Sequence, residues 1–347
     1  MTREEYLSKL ESKLNKYSDD VKSDIISDYI EHFEEGKREG KSDEEIIEEL
    51  GDIEEMIQEI DEENKSNWKE ESQKDEISNS SSFFTSHFSS LVVDTPDLDI
   101  TLIPYSGEIK ADLFDSDDNY YLESHENGDE LVLKVKTERK GGFFSILHSG
   151  DGRIEVRLPN GLKRVRATSK SGDISSENLI CGELKAKSAS GDIKLRDVKI
   201  ENGLLSSVSG DVSLKSLSFS SLVLSSTSGD VELENAIGKS IDASTVSGDI
   251  EVEGEIEETK FTSISGDISL DASSSLKECT AKSTSGDVSI DLFNSKGVSI
   301  ETKSTSGRVY VKGEGVISES NNYYTYGNQE AKISATTISG EVDISIR

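Results

Sequence analysis

Seven aspartates recur behind a glycine at near-constant spacing. They are Asp173, Asp192, Asp211, Asp230, Asp249, Asp267 and Asp287, following Gly172, Gly191, Gly210, Gly229, Gly248, Gly266 and Gly286. A row of carboxylates can do three kinds of chemistry. It can ligate hard cations such as Ca²⁺, which favour clustered oxygens. With basic partners on the same face it can supply acids and bases for cleaving an acidic polysaccharide. Or each carboxylate can accept backbone amide protons at its turn, as in Asx-turns. Stacked at about 4.8 Å, neighbouring charges repel by roughly 1 kcal/mol even at water's dielectric, so something must offset them. The Ca²⁺-binding β-roll carries a nine-residue, double-glycine repeat that this chain lacks. Amide acceptance is therefore the expected role, with no metal ion and no cofactor.

No other catalytic constellation stands out. His32, His87, His125 and His148 are scattered, and no Cys or His spacing matches a zinc site. There is no GxSxG or phosphate-binding glycine loop. Cys181 and Cys279 lie several repeats apart and are not expected to pair. The formal charge of −32 and pI near 4.5 argue against nucleic acid, which needs clustered Lys and Arg. They equally disfavour adhesion to anionic lipid. No run approaches the roughly 18 apolar residues of a membrane span, and Met1-Thr2-Arg3-Glu4-Glu5 has no hydrophobic signal region. A cytoplasmic location is expected, at most peripheral to the inner membrane face.

The elements that hold the aspartates follow from the repeat. Successive corner glycines, continued by Gly307 and Gly340, are 19, 19, 19, 19, 18, 20, 21 and 33 residues apart. A period near twenty marks a solenoid, whose repeats bury their apolar faces by stacking. Serine precedes all nine glycines, and two residues after each stands a β-branched residue, from Ile174 to Val342. Four after stands an apolar residue in every repeat but the first, which has Ser176. That alternation predicts a half-buried strand. Segments such as Leu222-Val223-Leu224 predict a second strand before the corner. Three before Gly comes Ser or Thr in all nine repeats, a predicted column of hydroxyls bonding one another or the turn backbone. The glycines supply either φ > 0 or close approach. The predicted fold is mostly β, a β-helix (solenoid) of ~19-residue rungs with two or three strands each, spanning roughly 40 Å. A small α-helical domain precedes it.

That helical domain occupies residues 1–62. Tyr6, Leu7, Leu10, Leu14 and Tyr17 form one apolar stripe behind the capping box Thr2-x-x-Glu5; Val21, Ile25, Ile26, Tyr29, Ile30 and Phe33 form a second. Ser42-x-x-Glu45 opens a third helix with Ile46, Ile47 and Leu50, and Asp52-x-x-Glu55 a fourth with Met56, Ile57 and Ile60. Through Glu76 the segment carries 27 Asp/Glu against 11 Lys/Arg, half of the chain's excess charge. Most of these acids fall between the stripes and read as a solvated face, and His32 as a packing residue. Residues 63–82, with Trp68, read as a polar linker. Residues 83–347 form the β part. In it, Gly141-Gly142-Phe143-Phe144-Ser145-Ile146-Leu147 is expected to be buried as a cap or strand. The Tyr323-Tyr324-Thr325-Tyr326 cluster is expected to pack beside the last rungs. No terminal cap is evident, so the final strand, Val342–Ile346, presents an edge through which the chain can self-associate.

Two resemblances add to this. Tyr6-Leu7-x-x-Leu10, Asp28-Tyr29-x-x-His32-Phe33, Gly40-Lys41-Ser42-x-Glu44-Glu45-Ile46 and Leu50-Gly51 resemble the HAAS domain, also called DUF1700. That resemblance implies a bacterial signalling module linked with PadR-type transcriptional regulators and envelope functions. The order of the LDITL, ELVLKV and IEVRLP strands and the serial SGDI rungs resembles DUF4097, a β-helix family that carries an adhesin label. Together they imply a non-enzymatic scaffold or regulatory protein. Its residues 1–62 would recruit a protein partner, a PadR-type regulator or an envelope-stress component, and its solenoid would present a binding surface. An adhesin-like surface protein is the alternative, and a polysaccharide-active β-helix enzyme the less favoured one.

Overall fold

The structure is a computed structural model that describes residues 2–14, 22, 26, 29–30, 33, 37, 41–50, 53, 80–84, 88–115, 120–137 and 152–347. The chain divides into two compact units, residues 1–76 with 139–149 and residues 77–138 with 150–347. Trp68, His32, His87, His148, Tyr17, Val21, Ile25, the 141–147 run and the fourth-helix residues Met56, Ile57 and Ile60 lie outside the described residues, as does most of the expected linker.

In the first unit, helices Arg3–Leu14 and Asp43–Leu50 bear out two of the sequence stripes. Both capping boxes close reciprocally. Thr2 N donates to Glu5 Oε2 at 3.0 Å while Glu5 N donates to Thr2 Oγ1 at 3.3 Å. Ser42 N donates to Glu45 Oε2 at 2.8 Å and Glu45 N to Ser42 Oγ at 3.3 Å. Each box satisfies helix-end amides that would otherwise lack partners. Tyr6, Leu10, Leu14, Tyr29, Phe33, Ile46, Leu50 and Ile53 form the buried core. The Tyr6 ring lies 6.1 Å from Tyr29 and edge-on to Phe33 at 5.9 Å. Asp43 ties the two helices together by accepting from Arg3 N at 3.1 Å.

The second unit is a two-sided parallel solenoid, with two strands per rung. One side carries the short strands that follow the corner glycines. In spatial order it runs 153–158, 99–104, 174–177, 193–196, 212–215, 231–234, 250–254, 268–272, 288–292, 342–346 and 309–312. These eleven levels span roughly 48 Å at β spacing. The other side carries the longer strands before each corner, from Glu130–Thr137 to Gly297–Ser304, in the same order. Between the sides lies one continuous core. Ile174, Ile193, Val212, Val231, Ile250, Ile268, Val288 and Val342 stack as one fully buried column, and Leu195, Leu214, Leu233, Val252, Leu270, Ile290 and Ile344 as the next. Burial of each such side chain contributes about 1.5–3 kcal/mol. Ser176, the polar exception, is accommodated by donating to Leu102 O at 2.8 Å.

Spatial order departs from chain order at both ends. Strands Ser90–Asp94 and Asp99–Pro104 are inserted beneath the 130–158 level and so have parallel partners on both sides. Likewise Ala331–Thr337 and Val342–Ile346 slot between the 278–292 and 297–312 levels. The expectation of an open edge at the C-terminal strand is thereby corrected. Val342–Ile346 pairs with Val288–Leu292 on one side and Val309–Lys312 on the other, which leaves it no free edge for self-association. A terminal cap also exists. Strand Tyr323–Gly327 runs antiparallel on Gly297–Ser304 and is backed by Ile317–Ser320. Tyr324 and Tyr326 pack against the core, as expected, while Tyr323 is exposed. At the other end Ile109–Phe114 and Tyr120–Asn127 cap antiparallel. Ser80–Phe84 pairs with 109–113, so this strand begins inside the stretch expected as linker.

Candidate functional site

The repeat corner is built from three residues, a Ser or Thr, a Gly and an Asp, and each serves the contact with the neighbouring rung. The glycines are there for close approach: none of the seven SGD glycines has a left-handed φ. A Cβ built on Gly229 would lie 2.5 Å from the Gly210 carbonyl carbon and 2.8 Å from Asp211 Oδ1. The hydroxyl column bonds backbone rather than itself. Ser188 Oγ accepts from Gly191 N at 2.9 Å and donates to Gly172 O in the preceding rung at 3.1 Å. Ser207, Ser226, Ser283 and Thr337 repeat that double role.

Each aspartate likewise reaches across a rung rather than closing its own Asx-turn. Asp173 Oδ1 accepts from Asp192 N at 2.7 Å, and Asp192 from Asp211 N at 2.9 Å. The series continues through Asp211, Asp230, Asp249 and Asp267 to Asp287, which accepts from Glu341 N at 2.7 Å. Charge-assisted bonds of this kind offset the repulsion within the column. Sequence reasoning missed the first member. Asp99 starts the ladder by accepting from Asp173 N at 2.7 Å; its signal was the Asp99-Ile100 pair behind Leu98, with Leu in the glycine place. At the far end Glu341 faces Arg308 at 3.5 Å, so the departures from SGD in the last two repeats terminate the column with a cation.

Sequence reasoning also missed the second corner. Asn178, Asp197, Ser216 and Asn235 adopt φ of 61°, 52°, 57° and 54°, ahead of the buried Leu179, Val198, Leu217 and Ala236. Asn and Asp tolerate the left-handed region best among side-chain-bearing residues. Their recurrence at one repeat length was the available signal.

The outward rows carry the electrostatics. Lys194 lies 2.9 Å from Asp192 and 3.6 Å from Asp173, and its contact holds the Asp192 carboxyl below the usual carboxylate range. Among the described residues no ion pair reaches Asp211, Asp230, Asp249, Asp267 or Asp287. Further along, burial and then the neighbouring Asp291 raise the Asp271 carboxyl. On the other side of the solenoid Arg166 is level with Lys185 and Arg164 with Glu183. An open groove of about 470 Å³ is lined by Lys194, Arg196 and Lys215 together with Glu177, Glu232 and Glu234. Among the described residues no three His, Cys, Asp or Glu side chains are placed to hold a metal ion. His125 is exposed beside Glu123. Cys181 and Cys279 are free, and burial pushes both thiols up to about 12. No described helix is long and apolar enough to cross a membrane.

The family model for Toastrack DUF4097 matches residues 88–296 and 253–345, and the HAAS model matches residues 5–59. The chain is also similar to solved structures. One is a "putative adhesin" from Parabacteroides merdae, at 10% identity over 77% of this chain and 95% of that one, with a TM-score of 0.47. Another is a "putative adhesin" from Parabacteroides distasonis, at 11% identity over 77% and 96%, with a TM-score of 0.45. A third, a "putative adhesin" from Bacteroides fragilis, shares 15% identity over 77% and 96%, with a TM-score of 0.41. No curated protein matches.

Proposed function

The chain belongs to the Toastrack DUF4097 family and carries a HAAS module ahead of it, and on that premise we propose that it is a non-enzymatic two-module scaffold of a bacterial regulatory system. Residues 1–62 recruit a signalling protein, a PadR-type regulator or an envelope-stress component. Residues 63–79 tether that module, and the solenoid unit from residue 80 to 347 presents an extended surface to a second ligand. The protein works in the cytoplasm or at the inner face of the membrane.

One observation carries the reading: the recurring hydroxyls, and one oxygen of each recurring carboxylate, are committed to holding the rungs together. A general acid or base needs a carboxylate free to exchange protons with substrate. Here each column aspartate is bound to the amide of the next rung. What varies from rung to rung, and so can encode recognition, is the outward rows. The HAAS module supports the regulatory half of the reading, because its capped, independently cored helices turn a charged exterior to solvent.

The test is location. Cells are fractionated, and protease is applied to intact and to opened cells. Protection until the cells are opened is the expected result. Cleavage on intact cells would overturn the reading in favour of a surface-binding protein. Turnover on a panel of acidic glycans would overturn its non-enzymatic part.

A further inference from the structure

Two residues before each corner glycine stands a side chain that the stack does not use. In spatial order the middle rungs place Val208, Thr227, Val246, Ile264, Thr284 and Ile338 there. The four aliphatic ones are 47%, 41%, 49% and 51% exposed. Backbone bonds lock them into one line. Thr227 N donates to Val208 O at 3.2 Å, Ser247 N to Thr227 O at 3.0 Å, Ser265 N to Val246 O at 2.9 Å and Ile338 N to Thr284 O at 3.2 Å. A buried purpose would have turned these β-branched residues inward, and a merely solvated corner would carry Ser or Lys, as Lys170 does in the first repeat. Three residues along the same corner run Asp211, Asp230, Asp249, Asp267 and Asp287, exposed and, among the described residues, without an ion pair. Lys194 compensates only Asp173 and Asp192, outside this stretch. The apolar line and the uncompensated carboxylates therefore coincide in the same rungs.

Resting on the reading of the solenoid as a binding surface, we propose that this corner ridge docks a basic amphipathic α-helix of a partner protein. The ridge repeats about every 4.8 Å, and an apolar stripe on a helix about every 5.4 Å per turn. A helix laid along the solenoid axis stays within roughly 2 Å of register over four rungs. Lysines or arginines flanking its stripe meet the carboxylate column. Two other occupants fail on charge. A second copy placed ridge to ridge would oppose one Asp column to another, and the chain's own Asp43–Leu50 helix, DEEIIEEL, carries only acidic charge. An extended peptide adding to the sheet fails on hydrogen bonding, because the corner amides are already donated from rung to rung.

The probe is a fluorescein-labelled 18-residue Leu/Lys helix with Leu at i, i+3, i+4 and i+7, titrated with the full chain by anisotropy. Two comparison peptides are the same helix with Glu for Lys and a Leu/Lys scramble without the stripe. Binding of the first, at least tenfold weaker binding of the scramble and none by the Glu helix are expected. The double variant Val246→Ser, Ile264→Ser should weaken the first peptide at least tenfold with an unchanged melting curve, since both side chains are exposed. Equal binding of the scramble would reduce the effect to polycation condensation on an acidic protein and overturn the proposal, as would an unaffected double variant. A cellular partner retained equally by native chain and double variant would also sink the ridge, while leaving the two-module reading in place.

Discussion

Substituting Gly229 with alanine asks directly why the corner is glycine. If the glycine served only chain flexibility, alanine would stabilise the fold by about 0.4–1 kcal/mol through the unfolded state. The structure predicts the opposite sign. The added Cβ would sit 2.5 Å from the Gly210 carbonyl carbon and 2.8 Å from Asp211 Oδ1, against an ordinary contact of 3.4 Å or more. Rungs 210 and 229 must open locally by about 1 Å, which forfeits near half of the dispersion contact there. Two inter-rung bonds stretch with them: Ser226 Oγ to Gly210 O, 3.1 Å, and Asp230 N to Asp211 Oδ1, 2.8 Å. At about 1 kcal/mol each, with about 1–3 kcal/mol of overpacking, the loss is about 3–5 kcal/mol. For a unit of this size that corresponds to a melting shift on the order of 10 °C. Gly161→Ala is the control. Its φ is +92° and a Cβ there meets open space, so only the left-handed strain of about 1–2 kcal/mol applies. The assay is thermal and urea unfolding, with amide exchange at rungs 191–248 to localise the damage, because repeat arrays do not always unfold in one step. A neutral or stabilised Gly229→Ala would refute the close-approach account.

Further outcomes follow from the same geometry. Asp230→Asn keeps an oxygen for Asp249 N and lowers column repulsion, so it should be near neutral or stabilising; Asp230→Ala, which orphans that amide, should cost about 1–3 kcal/mol in the same melts. Ser216→Asn places a better left-handed former at φ 57° and should raise stability by a few tenths to about 1 kcal/mol. The thiols of Cys181 and Cys279 should resist a maleimide at pH 8 in the native protein and react in urea, since burial pushes both up to about 12. Asp192 has a depressed folded value, so its pairing stabilises above the unfolded carboxylate value and is lost as pH falls through the folded one. Lys194→Met should therefore move the Asp192 carboxyl titration, read by NMR, upward. Asp271 is raised instead, so protonating it as pH falls relieves the folded state.

Much of this molecule was legible because its rungs obey one period. Ile174 to Val342, the hydroxyl column and the corner glycines each sit at a fixed offset, and stacking turns a fixed offset into a column. The capping boxes Thr2–Glu5 and Ser42–Glu45 were equally legible, since helix ends are local. What escaped was long-range. No residue in 331–346 announces that it slots beneath 297–312, because a parallel strand of alternating Ile and Ser pairs equally well in any level. Only the change from Asp to Arg308 and Glu341 hinted at it. Asp99 escaped because its corner carries Leu98, which Gly152 opposite makes room for. The partner of each aspartate was misjudged for a similar reason. An Asx-turn is the local solution, whereas in the stack each carboxylate accepts from the next rung's amide.

The most direct test of the two-module account is photocrosslinking of the full-length protein in its native cells. A benzophenone amino acid is placed at exposed Lys9 in the helical unit or at exposed Thr227 on the solenoid corner. The account predicts a specific protein adduct from each position, and different proteins from the two. No protein adduct from Thr227, with Lys9 crosslinking normally, would contradict the claim that the solenoid is a binding surface.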